Sequence, residues 1–227
     1  MGSEGFIVIF GVFLAVIVAA SIFAAITAKK RREGFAALAS RLGLSYSSEK
    51  EQNIAERYDF LNKLNQGSNR YAYNILSGAF RGEHVVAFDY HYETHSTDSK
   101  GHRQTHHHHL SFFMLLLPKP FPELLIAAEG IFSKIAQAFG YDDIDFESHE
   151  FSRKFCVRSK DKKFAYDVCH ARMMEYLLAN TDLSIEIEQK VLAIGFPSVI
   201  RVEEVERNLN RLIELRQLLP NYLFAVS

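Results

Sequence analysis

Hydrophobic and polar positions follow different patterns in the two parts of this chain. Residues 5–28 form an apolar run that contains no charged side chain. A helix rising ~1.5 Å per residue would span about 36 Å over this run, more than the roughly 30 Å hydrocarbon core of a bilayer. Because a helix satisfies its own backbone groups in lipid, the run predicts one transmembrane helix, preceded by a short extracytoplasmic N-terminus at residues 1–4.

The orientation of this helix follows from the cations beside it. The run Lys29–Arg32 comes directly after the apolar segment, and such cations favour the cytoplasmic side. The alternative is a cleaved signal peptide, but this would need a basic segment before a shorter apolar core, and Met1–Glu4 contains no Lys or Arg. We expect the N-terminus outside and the rest of the chain in the cytoplasm. Gly11, Ala15 and Ala19 share one helix face, which allows close packing of two copies as a homo-oligomer.

The pattern becomes amphipathic after the cations. Phe35, Leu38, Ala39 and Leu42 are spaced i, i+3, i+4 and i+7, which predicts a short helix, and Gly43 suits its C-terminal end. Residues 29–48 are therefore interpreted as a basic juxtamembrane segment with an amphipathic helix. Residues 49–227 are long enough to form one cytosolic domain with a core of its own.

Alternating apolar residues predict strands in the first half of this domain, after a short helix at residues 49–58. Arg81–Gly82 is typical of a hairpin turn, and a polar loop at residues 96–104 separates two further strands. The expected end of the third strand is Pro118. The apolar positions that define the first two strands are Tyr71, Tyr73 and Ile75, then Val86, Phe88, Tyr90 and Tyr92; the third strand covers residues 106–117.

The second half mixes helices and strands. We predict strands at residues 124–127, 143–147 and 154–159, a hairpin at 183–195, and helices at 129–139, 163–179 and 202–219. Hairpins followed by interspersed helices indicate an α+β fold built on an antiparallel sheet with packed helices.

Charge and cysteine content narrow the function classes. The net charge is −1; Glu4 contributes −1 and Lys29–Arg32 contribute +4, so residues 33–227 carry −4. A mildly acidic domain does not suit binding to nucleic acid, which needs clustered cations. Cys156 and Cys169 are the two cysteines, and in a reducing cytosol we expect both to be buried structural thiols.

Histidine is the candidate chemistry. Seven of the ten histidines lie between His91 and His109. If Phe88 lies opposite Phe112 and Tyr90 opposite Leu110, the pleat places one set of polar side chains on a single face of the sheet. That set is Asp89, His91 and Glu93 on one strand, with His107, His109 and Ser111 on the next.

This face suggests a metal site. Imidazoles and a carboxylate suit zinc, nickel or copper, and the proposed ligands are Asp89, His91, His107 and His109. The alternatives are a solvated, histidine-rich strand face or a patch that responds to pH near the ordinary histidine pKa of ~6.5. The acidic run from Asp142 to Glu150 matches no calcium-binding loop and is interpreted as a solvated connector.

The segment at residues 143–178 carries a resemblance. Its Phe151, Phe155, Val157, Ser159, Asp161, Ala165, Tyr166 and Met173–Glu175 resemble a bacterial family of membrane-anchored proteins of unknown function, some of them encoded near LemA-type proteins. The resemblance implies a membrane anchor followed by a soluble α+β domain, and it transfers no catalytic residue. It also implies that the membrane is the bacterial inner (plasma) membrane.

No nucleophile elbow, phosphate-binding loop, dinucleotide fingerprint or zinc-protease motif occurs in the sequence. We therefore expect a membrane-tethered, non-catalytic interaction or regulatory domain on the cytoplasmic face. Its expected partners are the lipid bilayer and a membrane or cytosolic protein. The alternative is a metal-binding or metal-dependent enzymatic domain that uses the histidine-rich hairpin at 89–109. A third hypothesis is a sensor of small ligands or lipid headgroups, with Lys29–Arg32 beside anionic lipid.

Overall fold

A computed structural model describes residues 3–98, 101–128 and 143–225, and within them the protein has an α+β fold. The helices are α1 (Ser3–Leu42), α2 (Gln52–Arg57), α3 (His149–Lys154), α4 (Lys162–Val168), α5 (Ala171–Ala179) and α6 (Val205–Leu218). The strands are β1 (Ser45–Ser47), β2 (Ser68–Phe80), β3 (Glu83–Thr97), β4 (Arg103–Ala128), β5 (Phe155–Ser159) and β6 (Ser184–Phe196). Short 3₁₀ helices occupy Val202–Glu204 and Asn221–Phe224.

The first helix joins the apolar run to the domain without a break. One stretch of α1 has a mean hydropathy of 2.8 and is long and apolar enough to cross a membrane. Residues 9–30 are exposed, whereas Phe35, Leu38 and Ala39 are buried against the sheet. The amphipathic pattern is therefore confirmed. Separate helices before and after the basic segment are not observed, because nothing between residues 28 and 35 interrupts the backbone hydrogen bonds.

Helix α1 ends where the glycine pattern predicted. Gly43 has φ +69°, the left-handed conformation that favours glycine, and the Leu44 amide donates back to the Ala39 carbonyl at 2.9 Å. The chain then enters β1, a three-residue strand that lies after the predicted helix but within the segment 29–48 interpreted as juxtamembrane. Tyr46 of β1 pairs with Leu76 of β2, and this pairing forms the strand.

Every strand pair in the sheet is antiparallel. The order is β1-β2-β3-β4-β5. Strand β6 pairs with β4 along the edge opposite to the one that pairs with β3. The turn at Arg81 (φ +51°) and Gly82 (φ +87°) confirms the predicted hairpin, since both central residues of such a turn need positive φ. The register between β3 and β4 is also as predicted, with Phe88 opposite Phe112 and Tyr90 opposite Leu110.

Strand β4 does not end at Pro118, so that prediction is wrong. It continues to Ala128 and includes the segment 124–127 that was expected to be a strand of its own. The three prolines at 118, 120 and 122 lie where the pairing with β6 is irregular, between Leu116 and Leu124. Proline is tolerated there because the ladder hydrogen bonds it cannot donate are already missing. The polar loop is likewise shorter than expected, because β3 extends to Thr97 and β4 begins at Arg103.

The second half departs further from the periodicity. Residues 143–147 are not a strand, although the Ile144 amide donates to the Val157 carbonyl of β5. The periodicity does not predict helix α3, whose N-terminus is capped by the Ser148 hydroxyl, which accepts a hydrogen bond from the Phe151 amide. The helix predicted at 163–179 is two helices, because the chain breaks at Cys169 and His170 and a His170 ring nitrogen contacts the Leu218 carbonyl at 2.9 Å.

Residues 184–196 form one strand, β6, so the hairpin predicted at 183–195 is wrong. Gln189 has φ +49° at the irregular point of its ladder with β4, and the strand continues beyond it to Phe196. The terminal helix is confirmed as Val202–Glu204 followed by α6. The helix predicted at 129–139 lies outside the described residues.

Hydrophobic cores cover both faces of the sheet. On one face, Phe113, Leu115 and Leu192 pack with residues of α1, α4, α5 and α6. On the other face, Phe88, Tyr90, Phe112 and Met114 pack beneath Ala55, Leu61 and Leu64 of the segment from α2 to the turn after it. The face that contacts α1 continues along β3 and β4 towards the histidines, so the fold brings the long apolar helix and the polar face together.

Cys156 and Cys169 are buried free thiols, as predicted. Burial raises the pKa of the Cys156 thiol to about 12, with Asp143 adding to the shift, and burial also raises the pKa of Cys169.

Candidate functional site

The polar face predicted on β3 and β4 exists. Asp89 lies opposite Ser111, His91 opposite His109, and Glu93 opposite His107. Because residues two apart on a strand point to the same side, all six side chains share the face that packs against α1 further along the sheet. The structure divides them into two groups with different chemistry.

Asp89 belongs to a structural ion pair. Its carboxylate accepts hydrogen bonds from Arg31 Nε at 2.9 Å, Arg31 Nη2 at 2.8 Å, Asn74 Nδ2 at 2.8 Å and Ser111 Oγ at 2.9 Å. The residue is 1% exposed. Four donors occupy the lone pairs that a metal ion would need, so the proposed ligand Asp89 instead anchors helix α1 to the sheet.

Arg31 also makes contacts besides those with Asp89. Its Nη1 donates to the Ile200 carbonyl at 2.8 Å, and its guanidinium lies 4.9 Å from the centre of the Phe35 ring. The Ser111 hydroxyl, which donates a hydrogen bond to Asp89, also accepts one from the Ile200 amide at 3.1 Å. The ion pair therefore links α1, the centre of the sheet and the segment before the last helix. No local sequence pattern marks Arg31 as part of a site, because its partner is 58 residues away.

His91, Glu93 and His107 form the second group, one row further along the strands. His91 Nε2 lies 3.2 Å from His107 Nδ1, and His107 Nδ1 lies 3.4 Å from Glu93 Oε1. One potential ligand atom from each residue lies within 4.8 Å of the others. Two of the four proposed ligands, His91 and His107, are thus brought together. The carboxylate of the group is Glu93 and not Asp89, which the sequence pattern predicted as the ligand. The pattern did predict that Glu93 lies on this face.

Asn69 orients two members of this group. Its carbonyl oxygen lies 3.0 Å from His91 Nδ1, and its side-chain Nδ2 donates to Glu93 Oε1 at 2.6 Å. Asn69 has φ +49°, a left-handed conformation that asparagine tolerates better than most residues. The hydrogen bond from Asn69 is the main reason that the pKa of Glu93 lies below its ordinary value.

His109 belongs to an aromatic border of the group. Its Nδ1 lies 3.0 Å from the Tyr73 hydroxyl, and its ring centre lies 4.8 Å from that of His91. Burial lowers the pKa of His109, and the neighbouring His91 and His107 lower it further. Tyr71 stacks on the other side of His91, with ring centres 4.5 Å apart. His109, the remaining proposed ligand, therefore contacts the cluster but is not among the three residues whose ligand atoms lie within 4.8 Å of one another.

The remaining histidines of the hairpin pair with hydroxyl groups or a carboxylate. His108 Nε2 lies 2.8 Å from Thr94 Oγ1, His106 Nε2 lies 2.8 Å from Ser96 Oγ, and His95 contacts Thr105. His102 Nδ1 lies 3.0 Å from an Asp98 oxygen at the turn. Each of these contacts joins neighbouring strands or closes the turn.

A cavity of about 510 Å³ lies beside the hairpin and the end of β6, and His107 and His109 are part of its lining. Lys63, Tyr92, His108 and Phe196 are among the residues that line it. The buried Lys63 ammonium donates to the Gly195 carbonyl at 3.2 Å, and burial lowers its pKa to about 8.

The described residues define an α+β domain carried on one long apolar helix, with a buried ion pair at the junction and a histidine–carboxylate cluster beside it. No protein-family model matches the chain, and no curated protein matches it. Among solved structures, it is similar to the mycobacterial trehalose monomycolate transport factor A, TtfA, with a TM-score of 0.57 and 14% sequence identity. The match covers 85% of this chain and 96% of that one. This likeness shows the fold.

Proposed function

We propose that this protein is a membrane-tethered, non-catalytic interaction domain that presents its sheet to a protein partner at the cytoplasmic face of a bacterial inner membrane. The observation that carries the proposal is the junction between Arg31 and Asp89. This ion pair holds α1 against the centre of the sheet at the point where the exposed apolar part of the helix ends. A flexible linker at the same point would leave the domain free to move.

The distances make this tether short. Arg31 follows Ala28 by three residues, which is about 4.5 Å along a helix axis. The exposed apolar part of α1 and the buried part that begins at Phe35 belong to the same helix. A domain held in this way has a constant height and orientation relative to the bilayer. Such a constraint is useful to a protein that must align with a neighbour in the membrane, whereas an enzyme acting on soluble substrates does not need it.

Two further observations support a non-catalytic role. The buried thiols and the four-donor environment of Asp89 leave these groups without reactive character. The solved structure that shares the fold is named a transport factor, and an accessory role in a membrane transport process is compatible with a rigid tether. At 14% identity, its cargo is not assigned to this chain.

The test compares two forms of the full chain expressed in bacterial cells and cross-linked in intact membranes. One is the wild type, and the other carries an inserted flexible Gly-Ser segment between Ala28 and Lys29. The insertion leaves Arg31, Asp89 and the domain intact but removes the fixed height above the bilayer. We expect a specific protein to cross-link to the wild type and to be lost from the insertion form. A wild-type chain that is always recovered alone and monomeric, or a partner retained equally by both forms, would refute the proposal.

A further inference from the structure

We propose that His91, Glu93 and His107 bind one divalent transition-metal ion, zinc being the best fit, and that the site has a fourth coordination position open to solvent. This inference is independent of the proposed function, because it depends on the side chains of the hairpin and not on the tether. Strand β3 supplies His91 and Glu93 two residues apart, and β4 supplies His107 opposite Glu93.

The spacing of the ligand atoms matches that of a tetrahedral site. With metal–nitrogen and metal–oxygen distances of about 2.0–2.2 Å, tetrahedral angles place ligand atoms roughly 3.3–3.5 Å apart. His91 Nε2 and His107 Nδ1 are 3.2 Å apart, and His107 Nδ1 and Glu93 Oε1 are 3.4 Å apart. The ligand atoms of all three residues lie within 4.8 Å of one another.

The protonation state of His91 also suits a ligand. A carbonyl oxygen only accepts hydrogen bonds, so the contact with the Asn69 carbonyl places a proton on His91 Nδ1. In the neutral ring, Nε2 then carries the lone pair, and this is the atom that lies 3.2 Å from His107 Nδ1. A backbone carbonyl is one of the usual partners of the distal nitrogen of a metal-binding histidine, together with carboxylates and water. Stacking on Tyr71 holds the plane of the ring.

Burial distinguishes His91 from the other histidines of the hairpin. His91 is 3% exposed, so its Nε2, which lies 3.2 Å from His107 Nδ1, is shielded from water. The His107 side chain is 59% exposed and forms the open side of the group. His106 and His108, on either side of His107 in the sequence, already contact hydroxyl groups on β3. Two histidines and one glutamate make three protein ligands, the number found in zinc sites that keep one position for water or an external donor.

The site lies close to the junction. The His91 row follows the Asp89 row by two residues, about 7 Å along the strand, and Asp89 holds Arg31. An ion bound there would fix β3 to β4 at the base of the hairpin, beside the end of the apolar helix.

The experiment uses the full chain in detergent, purified through an affinity tag that contains no histidine and stripped with a chelator. Zn²⁺ is titrated by calorimetry, and Co²⁺ is used as a spectroscopic probe because its visible absorption reports tetrahedral coordination. We expect one equivalent of either ion to bind the wild type. His107→Ala and Glu93→Gln should lower the affinity at least tenfold and abolish the tetrahedral Co²⁺ spectrum. His106→Ala and His108→Ala, the matched controls, should leave both unchanged.

Asn69→Gly separates orientation from ligation. It keeps the positive φ and the carbonyl that contacts His91, but it removes the amide that holds Glu93; loss of such an outer partner typically costs about 10–100-fold in metal affinity. Circular dichroism of each variant confirms that the fold is retained. The proposal is overturned if the wild type binds no stoichiometric ion, or if His106→Ala and His108→Ala weaken binding as much as His107→Ala does.

Discussion

Arg31 and Asp89 form a two-point ion pair across 58 residues of sequence, with Nε and Nη2 at 2.9 and 2.8 Å from the two carboxylate oxygens. The pair joins the end of the apolar helix to the third strand of the sheet. Its importance lies in the burial of the anion, because Asp89 is almost inaccessible to water and depends on this cation for its charge balance.

Replacing Arg31 with alanine should destabilise the protein strongly. Removing one partner of a buried pair leaves an uncompensated charge and typically costs about 3–5 kcal/mol; some water access on the Arg31 side, where 20% of the side chain is exposed, favours the lower end. The free energy of unfolding of the full chain in detergent, measured by urea and circular dichroism, tests this. Arg32→Ala is the matched control, since Arg32 is exposed and should change stability by less than about 0.5 kcal/mol. Equal effects of the two substitutions would contradict the assignment.

Gly67→Ala should be more costly than Gly82→Ala, although both glycines have positive φ, +65° and +87°. A Cβ on Gly67 would lie 2.2 Å from the Glu93 carbonyl oxygen, whereas a Cβ on Gly82 would meet nothing within 4 Å. The Gly82 variant therefore isolates the conformational penalty, about 1–3 kcal/mol, and the Gly67 variant adds a displacement of β3. Thermal unfolding of both variants gives the comparison. Equal losses would show that the Glu93 backbone accommodates the methyl group.

Stability should fall as the pH rises, in part because of Glu188. Burial raises its pKa to about 7, with Glu123 and Glu186 adding to the shift. A carboxyl whose pKa is raised in the folded state stabilises the fold fully below its unfolded pKa, and this contribution is lost as the pH rises through about 7. We expect Glu188→Gln to match the wild type in melting temperature at pH 4 and to exceed it at pH 8. The exposed Glu203→Gln is the control; an equal gain in that variant would rule out burial of Glu188 as the cause.

Neither cysteine should react in the native protein. Both thiols are buried and their pKa values are raised by burial, so the reactive thiolate is scarce at neutral pH. Incubation of the full chain with a maleimide at pH 7.5 should give no adduct by mass spectrometry, and denaturation should give two. Labelling of the native chain at either position would contradict the burial of that thiol.

The inert native thiols also allow a direct test of orientation. We expect a cysteine introduced at Ser3 to be labelled in intact cells by a membrane-impermeant maleimide. A cysteine at Ser40, on the exposed side of α1, should react only after the cells are permeabilised. The reverse pattern would place the domain outside the cytoplasm.

Part of the candidate site was accessible from the sequence because apolar residues set the register of a hairpin. Matching Phe88 with Phe112 and Tyr90 with Leu110 was enough to place His91 and His107 on one face, and the structure has this register. The same reasoning could not choose between Asp89 and Glu93 as the carboxylate. That choice depends on which carboxylate Arg31 occupies, and no local pattern reports a contact between residues so far apart in the chain.

Two errors in the predicted secondary structure also arise from contacts between distant segments of the chain. The prolines after Leu117 predict the end of a strand, yet β4 continues because β6 pairs irregularly at that point. The pattern from Lys163 onwards predicts one continuous helix, yet the chain breaks at His170, whose ring contacts the Leu218 carbonyl at the end of α6. In both cases the deciding neighbour comes from a distant segment.

The sequence by itself determined the apolar helix, the amphipathic positions that follow it, the first hairpin and the α+β class. These depend on periodicity and on turn residues, which act over a few neighbouring positions. Only the tertiary structure decided that α1 is continuous, that Asp89 is the counter-ion of Arg31, and that Glu93 joins His91 and His107. Those outcomes depend on which buried charges and hydrogen-bonding groups find partners once the helices cover the sheet, and burial of that kind exists only in the folded chain.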